Sequence, residues 1–147
     1  MELQIEKIEK LLLITSEYIN CVSDEILELR PSEGKWSKKE ILGHLVDSAI
    51  HNLVRFTEIN YLEKPYCLRP YNQIDLVNLN KYQTINTNDL IQLWLSLNKQ
   101  IIWVIKSLDE KALDYKVISS DHSIVNLRFL ITDYVEHLEH HINQIKF

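Results

Sequence analysis

The chain has 147 residues, of which 46% are hydrophobic and 25% are charged. This length suits one folded domain over residues 1–147, and the composition excludes a chain that stays disordered. Sixteen basic against twenty-one acidic residues give a net charge of −5, which argues against general binding to nucleic acid because such binding requires a basic surface. The chain has only two glycines, and this number argues against both a glycine-rich phosphate loop and a turn-rich β-sandwich.

Membrane and disulfide signals are absent from the sequence. No stretch approaches the run of about 18 apolar residues that spans a bilayer, and the N-terminal segment lacks the layout of a signal peptide. Cys21 and Cys67 form no Cys-x-x-Cys pair and are too few for a disulfide framework. These features predict a cytoplasmic protein with reduced thiols.

The first half of the chain contains two helical segments. Apolar residues recur at helical spacing over residues 2–29 and stop before Pro31, which predicts one long helix. Ser37 and Glu40 have the spacing of a capping box, so we predict a second helix that begins there and ends near Tyr61.

Residues 62–86 differ in character from the helices around them. They contain Pro65, Pro70, several tyrosines and scattered amide side chains without sustained periodicity. We predict an ordered crossover connection, within which residues 75–82 form a short helix.

Two more helices are predicted in the second half. The third is capped by Thr87 or Asn88 and ends near Leu108. After a polar and irregular stretch, Asn126 caps a last helix that ends near Lys146. Four helices, each about 30 Å long, predict an all-α antiparallel four-helix bundle with one long crossover. Periodicity does not determine the order or handedness of the helices.

Three histidines lie within the last eleven residues. On a helical wheel centred on Leu138, His137 and His141 border the apolar face, whereas His140 points to the solvent side. Positions four apart on a helix are neighbours, so His137 and His141 can reach one metal ion. The alternative is that both are half-exposed polar residues that bind nothing.

A metal site would need a third ligand from another helix. His44 and His51 lie two turns apart on the predicted second helix, and both border its apolar face. The wheel does not choose between them. Three neutral imidazoles suit zinc, nickel, copper or iron better than magnesium or calcium, and open coordination positions would mark a catalytic site.

Two segments of the chain carry a resemblance to a known family. Residues 36–49 read WSKKEILGHLVDSA, and residues 133–145 read DYVEHLEHHINQI. They resemble the start of the second helix and the last helix of the DinB-like family of bacterial metal-binding four-helix proteins. Residues 55–56 and 71–73, Arg-Phe and Tyr-Asn-Gln, also resemble family positions, so the similarity spans most of the chain.

The resemblance implies a set of metal ligands. In the family, one histidine of the Gly-His-Leu segment and two of the His-x-x-x-His segment bind a divalent metal, commonly zinc or nickel. The matching residues of this chain are His44, His137 and His141. His51 and His140 are left as polar residues outside the site.

Further site residues are predicted around these histidines. Asp47 and Asp133 lie three and four residues from a proposed ligand and can orient an imidazole, unless both are surface acids. Ser48 follows His44 by one turn and can face the open coordination position, so Asp47 and Ser48 are the predicted catalytic residues. Four polar residues are predicted to contact a substrate, with a partly buried ion pair as the alternative for the arginine: Asn52, Arg55, Tyr71 and Gln73.

The resemblance also implies an activity. The DinB-like family includes transferases that activate a low-molecular-weight thiol such as bacillithiol, and members described as metal-dependent hydrolases. A divalent metal deprotonates a coordinated thiol and lowers the pKa of bound water to about 7, so one site suits both reactions. We expect a thiol transferase acting on a small electrophile. The alternatives are a hydrolase and a non-catalytic metal-stabilised bundle that serves binding or assembly.

The resemblance to the family also implies that the protein forms a homodimer. Apolar positions beyond the main stripes leave room for a dimer interface, or else lie under the long loops: Leu13, Ile14, Ile91 and Ile102.

Overall fold

The computed structural model describes residues 1–146, which form six α-helices and three short strands. The helices are α1 (Glu2–Cys21), α2 (Asp24–Glu28), α3 (Lys38–Tyr61), α4 (Gln73–Asn80), α5 (Thr87–Lys106) and α6 (Leu127–Lys146). The strands are β1 (Tyr66–Cys67), β2 (Lys116–Ile118) and β3 (Ile124–Asn126). Short 3-10 turns cover Tyr82–Thr84 and Glu110–Asp114. The predicted all-α four-helix bundle is confirmed.

The bundle consists of α1, α3, α5 and α6. Helix α3 packs against α5 and α6, and α1 packs against the same two helices. Trp94, Tyr134 and Phe56 are the largest fully buried side chains, and burial of such apolar surface drives the packing. The buried hydroxyl of Tyr134 donates a hydrogen bond of 2.7 Å to Asn98 Oδ1, so this hydroxyl is satisfied within the core.

Two of the predicted helix starts are confirmed. Ser37 Oγ accepts a hydrogen bond of 3.1 Å from the backbone N–H of Glu40, whose carboxylate accepts one of 2.9 Å from the backbone N–H of Ser37. The side chain of Asn126 accepts a hydrogen bond of 3.0 Å from the N–H of Phe129 at the start of α6. Both caps satisfy backbone donors that a helix leaves free at its start.

The predicted cap of the third long helix is wrong by one or two residues. Asn86 Oδ1 accepts hydrogen bonds of 2.9 Å from the N–H of Asn88 and 3.3 Å from that of Asp89. The hydroxyl of Thr87 donates to Asp24 on α2 instead. Asparagine and threonine both cap helices, so the tertiary contact with α2 decides which of them does so here.

The predicted single helix over residues 2–29 is also wrong. Helix α1 ends at Cys21, Val22 is extended with φ −107° and ψ 139°, and α2 follows. The bend lets α2 pack against α3 and buries Leu27, which is 1% exposed. Burial of this side chain therefore overrides the continuous helical pattern.

A small sheet connects the two segments that the sequence analysis leaves without strands. Strand β1 pairs in parallel with β2, with Tyr66 opposite Val117, and β2 pairs antiparallel with β3. Val117 is fully buried. Strands of two or three residues are too short to produce an alternating pattern. The sequence therefore predicts an irregular stretch between the third and the last long helix, where β2 and most of β3 lie.

Two smaller expectations concern the crossover and the outer surface. Helix α4 begins two residues before its predicted start, because Asn72 caps it.

Ile91 and Ile102 are buried in the core, whereas Leu13 is 60% exposed. Only some of the apolar residues named for a dimer interface are therefore exposed, and the homodimer stays a prediction. Both cysteines are exposed free thiols. Within residues 1–146, no helix combines the length and the hydrophobicity needed to cross a membrane.

Candidate metal centre

Three imidazoles converge between α3 and α6. His44 Nε2 lies 3.1 Å from His137 Nε2, and one ring nitrogen of each of His44, His137 and His141 lies within 4.8 Å of the other two. The ring centroid of His141 is 4.6 Å from that of His44 and 4.5 Å from that of His137. His44 is fully buried, and the other two are half-buried. We refer to these three residues as the histidine cluster.

The local sequence explains this convergence. The capping box fixes the start of α3, so that His44 lies two turns into the helix on its buried side. On α6, Leu138 and Ile142 are fully buried, which turns the neighbouring i, i+4 pair of histidines toward α3. The pairing of α3 with α6 therefore selects His44 rather than His51 as the third member.

Gly43 allows a close approach beside the cluster. A Cβ atom at this position would lie 2.2 Å from Cδ2 and Cγ of Tyr82, far inside van der Waals contact. The ring of Tyr82 therefore packs directly on the backbone that precedes His44. Only glycine permits this contact without displacing one of the two segments.

The electrostatics of the cluster favour neutral imidazoles. Burial, together with the smaller effect of the neighbouring His141 and His137, lowers the pKa of His44 to about 3. Burial lowers the pKa of His137 to about 4, and burial also lowers that of His141. Neutral imidazole is the form that binds metals, because its second ring nitrogen has a free lone pair.

Two of the three imidazoles have polar support behind them. His141 Nδ1 donates a hydrogen bond of 2.8 Å to Gln144 Oε1, which places the ring proton on Nδ1 and leaves Nε2 free. Ser48 Oγ lies 3.4 Å from His137 Nδ1. His44 Nδ1 is buried and has no hydrogen-bond partner within the described part of the chain.

The residues of the cluster fit a divalent metal ion. Two unprotonated ring nitrogens 3.1 Å apart repel each other unless a proton or a cation lies between them. Two nitrogens bound at about 2.0–2.1 Å to one tetrahedral ion lie about 3.3 Å apart, close to this separation. Three protein ligands also leave a coordination position open for water or substrate, as in catalytic sites.

The predicted contact between Asp47 and His44 is wrong. Asp47 Oδ1 accepts hydrogen bonds of 2.5 Å from the hydroxyl of Tyr82 and 2.8 Å from Asn80 Nδ2, while Oδ2 is buried without a partner. Burial raises the pKa of Asp47 despite these two bonds. The carboxylate therefore binds the crossover rather than an imidazole. Asp133 is exposed, and no carboxylate within residues 1–146 forms a hydrogen bond to the cluster.

Four of the other predicted site residues lie together on one side of the cluster, joined by a histidine that the sequence analysis leaves outside the site. We refer to them as the polar flank: Ser48, His51, Asn52, Arg55 and Tyr71. Asn52 Nδ2 donates 2.9 Å to the backbone carbonyl of Ser48. Tyr71 stacks on His51 with centroids 4.0 Å apart and planes 3° apart.

The arginine of the polar flank is held by the crossover. Arg55 donates a hydrogen bond of 2.9 Å to the carbonyl of Arg69, and its guanidinium carbon lies 5.5 Å from the ring centroid of Tyr71. Arg55 forms no ion pair with a carboxylate within residues 1–146, so the alternative role predicted for it is not observed. Gln73 is exposed at the first position of α4 and forms no hydrogen bond to the cluster.

Sequence reasoning misses three residues that shape the centre. Gln144 orients His141, Tyr82 packs beside Gly43, and the ring centroid of Trp36 lies 5.3 Å from that of His44. Gln144 has a recognisable signal, since it follows His141 by three positions on the same helix. The contacts of Tyr82 and Trp36 depend on loop paths that periodicity does not predict. His140 is exposed, and His122 lies in the turn between β2 and β3.

Comparison with known proteins agrees with this architecture. The bacterial protein YfiT of Bacillus subtilis (strain 168), named "Putative metal-dependent hydrolase YfiT", is 22% identical over 142 residues, which are 96% of this chain and 79% of that protein. The solved structure of YfiT from Bacillus subtilis, described as a probable metal-dependent hydrolase with an unusual four-helix bundle topology, superposes with a TM-score of 0.89 at 21% identity. This match covers 99% of this chain and 83% of that one.

A second solved structure shares the fold at greater distance. The mycothiol-dependent maleylpyruvate isomerase matches with a TM-score of 0.74 and 15% identity, over 98% of this chain and 60% of that chain. The sequence profile of the DinB superfamily matches residues 9–145. This match extends from α1 to the end of α6 and includes every residue of the histidine cluster. The chain therefore belongs to the DinB superfamily.

Proposed function

We propose that this protein is a metal-dependent enzyme that transfers a low-molecular-weight thiol to a small electrophile. The observation that carries the proposal is the convergence of three neutral imidazoles, from His44, His137 and His141, on one point between two helices. These residues would hold a divalent ion, and zinc or nickel suits their nitrogen donors. When bound, such an ion lowers the pKa of a coordinated thiol and supplies a thiolate at neutral pH.

The transfer itself is a simple substitution. The thiol releases its S–H proton to water, and its sulfur forms a bond to the electrophilic carbon. The leaving group departs from that carbon with the bonding electron pair. The products are a thioether, the leaving anion and one proton.

The surroundings of the cluster support thiol transfer over hydrolysis. Metallohydrolases of the His-Glu-x-x-His type use a carboxylate beside the metal as the general base that activates water. Within residues 1–146, the carboxylate next along α3, Asp47, is bound to Tyr82 and Asn80 instead. A thiol would need no such base, because a divalent ion held by the three histidines would lower the pKa of the thiol.

The polar flank supplies groups that fit a thiol cofactor. Low-molecular-weight thiols carry carboxylate and hydroxyl groups, and the guanidinium of Arg55 with the hydroxyl of Tyr71 matches them in charge and hydrogen bonding. Tyr71 stays protonated and able to donate, because burial raises its pKa. We propose that Arg55 and Tyr71 bind the thiol compound, with Ser48 supporting His137 from behind.

Hydrolysis is the second candidate, since YfiT is named as a metal-dependent hydrolase. One assay separates the two reactions. Zinc- or nickel-loaded protein is incubated with a panel of small thiols and iodoacetamide, and in parallel with p-nitrophenyl acetate. Metal-dependent thiol consumption that His137→Ala abolishes and His140→Ala retains supports transfer. Metal-dependent ester cleavage without thiol consumption contradicts it and favours the hydrolase.

A further inference from the structure

An apolar cleft of about 570 Å³ lies against the histidine cluster. This size is within the range of about 300–1,000 Å³ that is typical of small-molecule sites. Five of its ten lining residues are hydrophobic: Ile26, Leu29, Pro31, Trp36 and Ile41. We refer to it as the apolar cleft.

The cleft and the cluster share one residue, His141. His141 and Gln144 form part of the wall of the cleft. The indole of Trp36 also lines the cleft, and its ring centroid lies 5.3 Å from that of His44. Ile41 precedes His44 by one turn of α3. A molecule in the cleft therefore lies beside the imidazoles. The wall of the cleft is polar where His141 lies and mainly apolar elsewhere.

The wall of the cleft is apolar surface that the chain leaves uncovered. Leu29 is 68% exposed and Ile26 is 53% exposed, and both are there because the chain bends after α1. Clustered exposed apolar residues beside a polar site mark a ligand-binding region, because covering them with an apolar group is favourable.

The charges at the cleft restrict the ligand further. The charged residues in its wall are Lys35 and Lys38, both basic. Lys38 Nζ donates a hydrogen bond of 2.8 Å to the hydroxyl of Tyr18, whereas Lys35 is exposed at the rim. A positive rim without a carboxylate disfavours a cationic ligand and accepts a neutral or anionic one.

We infer that the apolar cleft binds the body of the electrophilic substrate, an aryl or branched alkyl group on a neutral or anionic molecule. Its reactive carbon is then held toward the histidine cluster, and the polar flank holds the thiol compound on the other side. The reaction assumed here rests on the proposed function, but occupation of the cleft does not require turnover.

Binding is tested first, on protein purified in the presence of zinc and labelled at its isoleucine and leucine methyl groups. 1-Naphthylacetate is titrated in, with acetate and 1-naphthylmethylammonium as comparison compounds. We expect saturable shifts of the methyl resonances of Ile26, Leu29 and Ile41 with 1-naphthylacetate. Acetate should leave these resonances in place, and the cationic compound should bind more weakly. Absence of saturable shifts at these methyl groups overturns the inference.

Two exposed leucines provide a matched pair of variants. Leu29→Gln removes apolar contact within the cleft, and we expect it to weaken 1-naphthylacetate about tenfold. Leu3→Gln, at a leucine that is 72% exposed and outside the cleft, should leave the affinity unchanged. Equal effects of both substitutions contradict the inference. Neither leucine is buried, so both variants should fold.

The turnover assay distinguishes this inference from the proposed function. If the cleft holds the electrophile, Leu29→Gln raises KM for a benzyl halide but not for iodoacetamide. An unchanged KM for the benzyl halide overturns the inference even when thiol transfer is demonstrated. Saturable naphthylacetate binding without turnover of any thiol supports the cleft and contradicts the proposed function.

Discussion

His44 Nε2 and His137 Nε2 lie 3.1 Å apart although 93 residues separate them along the chain. Each nitrogen belongs to a buried or half-buried imidazole, and burial lowers the pKa of both rings. Two neutral acceptor nitrogens at this distance are unfavourable without a shared proton or cation. The fold therefore maintains an arrangement in which the two rings share a proton, and a bound divalent ion would take the place of that proton.

The first prediction concerns metal content. Replacing His44, His137 or His141 by alanine should each reduce bound zinc from about one ion per chain to nearly none, because two imidazoles bind far more weakly than three. Elemental analysis of untagged protein measures this ratio. His140→Ala is the matched control, since His140 lies outside the cluster and is exposed. Equal losses in all four variants would show that the ligand set is wrong.

The histidine pair on α6 could be predicted because its geometry is local. A spacing of four on one helix and a wheel position beside the apolar face are enough to orient His137 and His141 together. The third ligand could not be chosen by the wheel, because His44 and His51 occupy one ridge and only the packing of α3 against α6 separates them. The resemblance to the family was needed to favour His44.

The contacts of the crossover could not be predicted for a related reason. Tyr82 reaches Asp47 because a left-handed residue, Lys81 with φ 52°, ends α4 and redirects the chain. Nothing in the pattern around Asp47 distinguishes a carboxylate that binds this tyrosine from one that binds His44. The apolar cleft could not be predicted from the local pattern either. It forms because the burial of Leu27 breaks the first predicted helix into α1 and α2.

The second prediction concerns the support of His141. Gln144→Leu removes the amide oxygen that accepts a hydrogen bond of 2.8 Å from His141 Nδ1. We expect zinc affinity to fall about 10- to 100-fold, because outer residues of this kind fix the tautomer and orientation of a ligand. Competition with a fluorescent zinc chelator measures the affinity. Asn143→Leu, an exposed neighbour on α6, is the control, and an effect as large as that of Gln144→Leu would refute the role of the hydrogen bond.

The third prediction is a dependence of stability on pH in chelator-treated protein. The pKa of His44 is about 3 in the folded chain against 6.5 as the ordinary value, so the unfolded chain binds more protons between these two pH values. The free energy of unfolding therefore falls as pH falls below 6.5. From pH 7 to pH 5 this one residue should contribute a loss of about 2 kcal/mol.

Urea unfolding of the parent and of His44→Gln at these two pH values tests the sign and the size of the effect. The variant lacks the titrating group, so its stability should depend less on pH. His122→Asn is the control, because asparagine accepts the left-handed backbone at this position, where φ is 66°. An identical pH dependence in His44→Gln and the parent would contradict the burial of a neutral imidazole.

The fourth prediction concerns the glycine that precedes His44. Alanine normally stabilises a helix relative to glycine by about 1 kcal/mol. At position 43, however, the added Cβ would lie 2.2 Å from the ring of Tyr82, which is 4% exposed and hydrogen-bonded to Asp47. We expect Gly43→Ala to destabilise the protein by roughly 1–3 kcal/mol, because tight cores do not accept an extra methyl group without displacement.

A lower urea midpoint and weaker zinc binding should appear together in Gly43→Ala, because the displaced backbone carries His44. Gly34→Ala is the comparison, since a Cβ there meets no atom within 4 Å and its cost comes from a φ of +74° alone. This variant should lose stability without losing zinc affinity. If Gly43→Ala were instead more stable than the parent, Tyr82 would not pack on this turn of α3, and the bond that holds Asp47 away from the histidine cluster would have to be reconsidered.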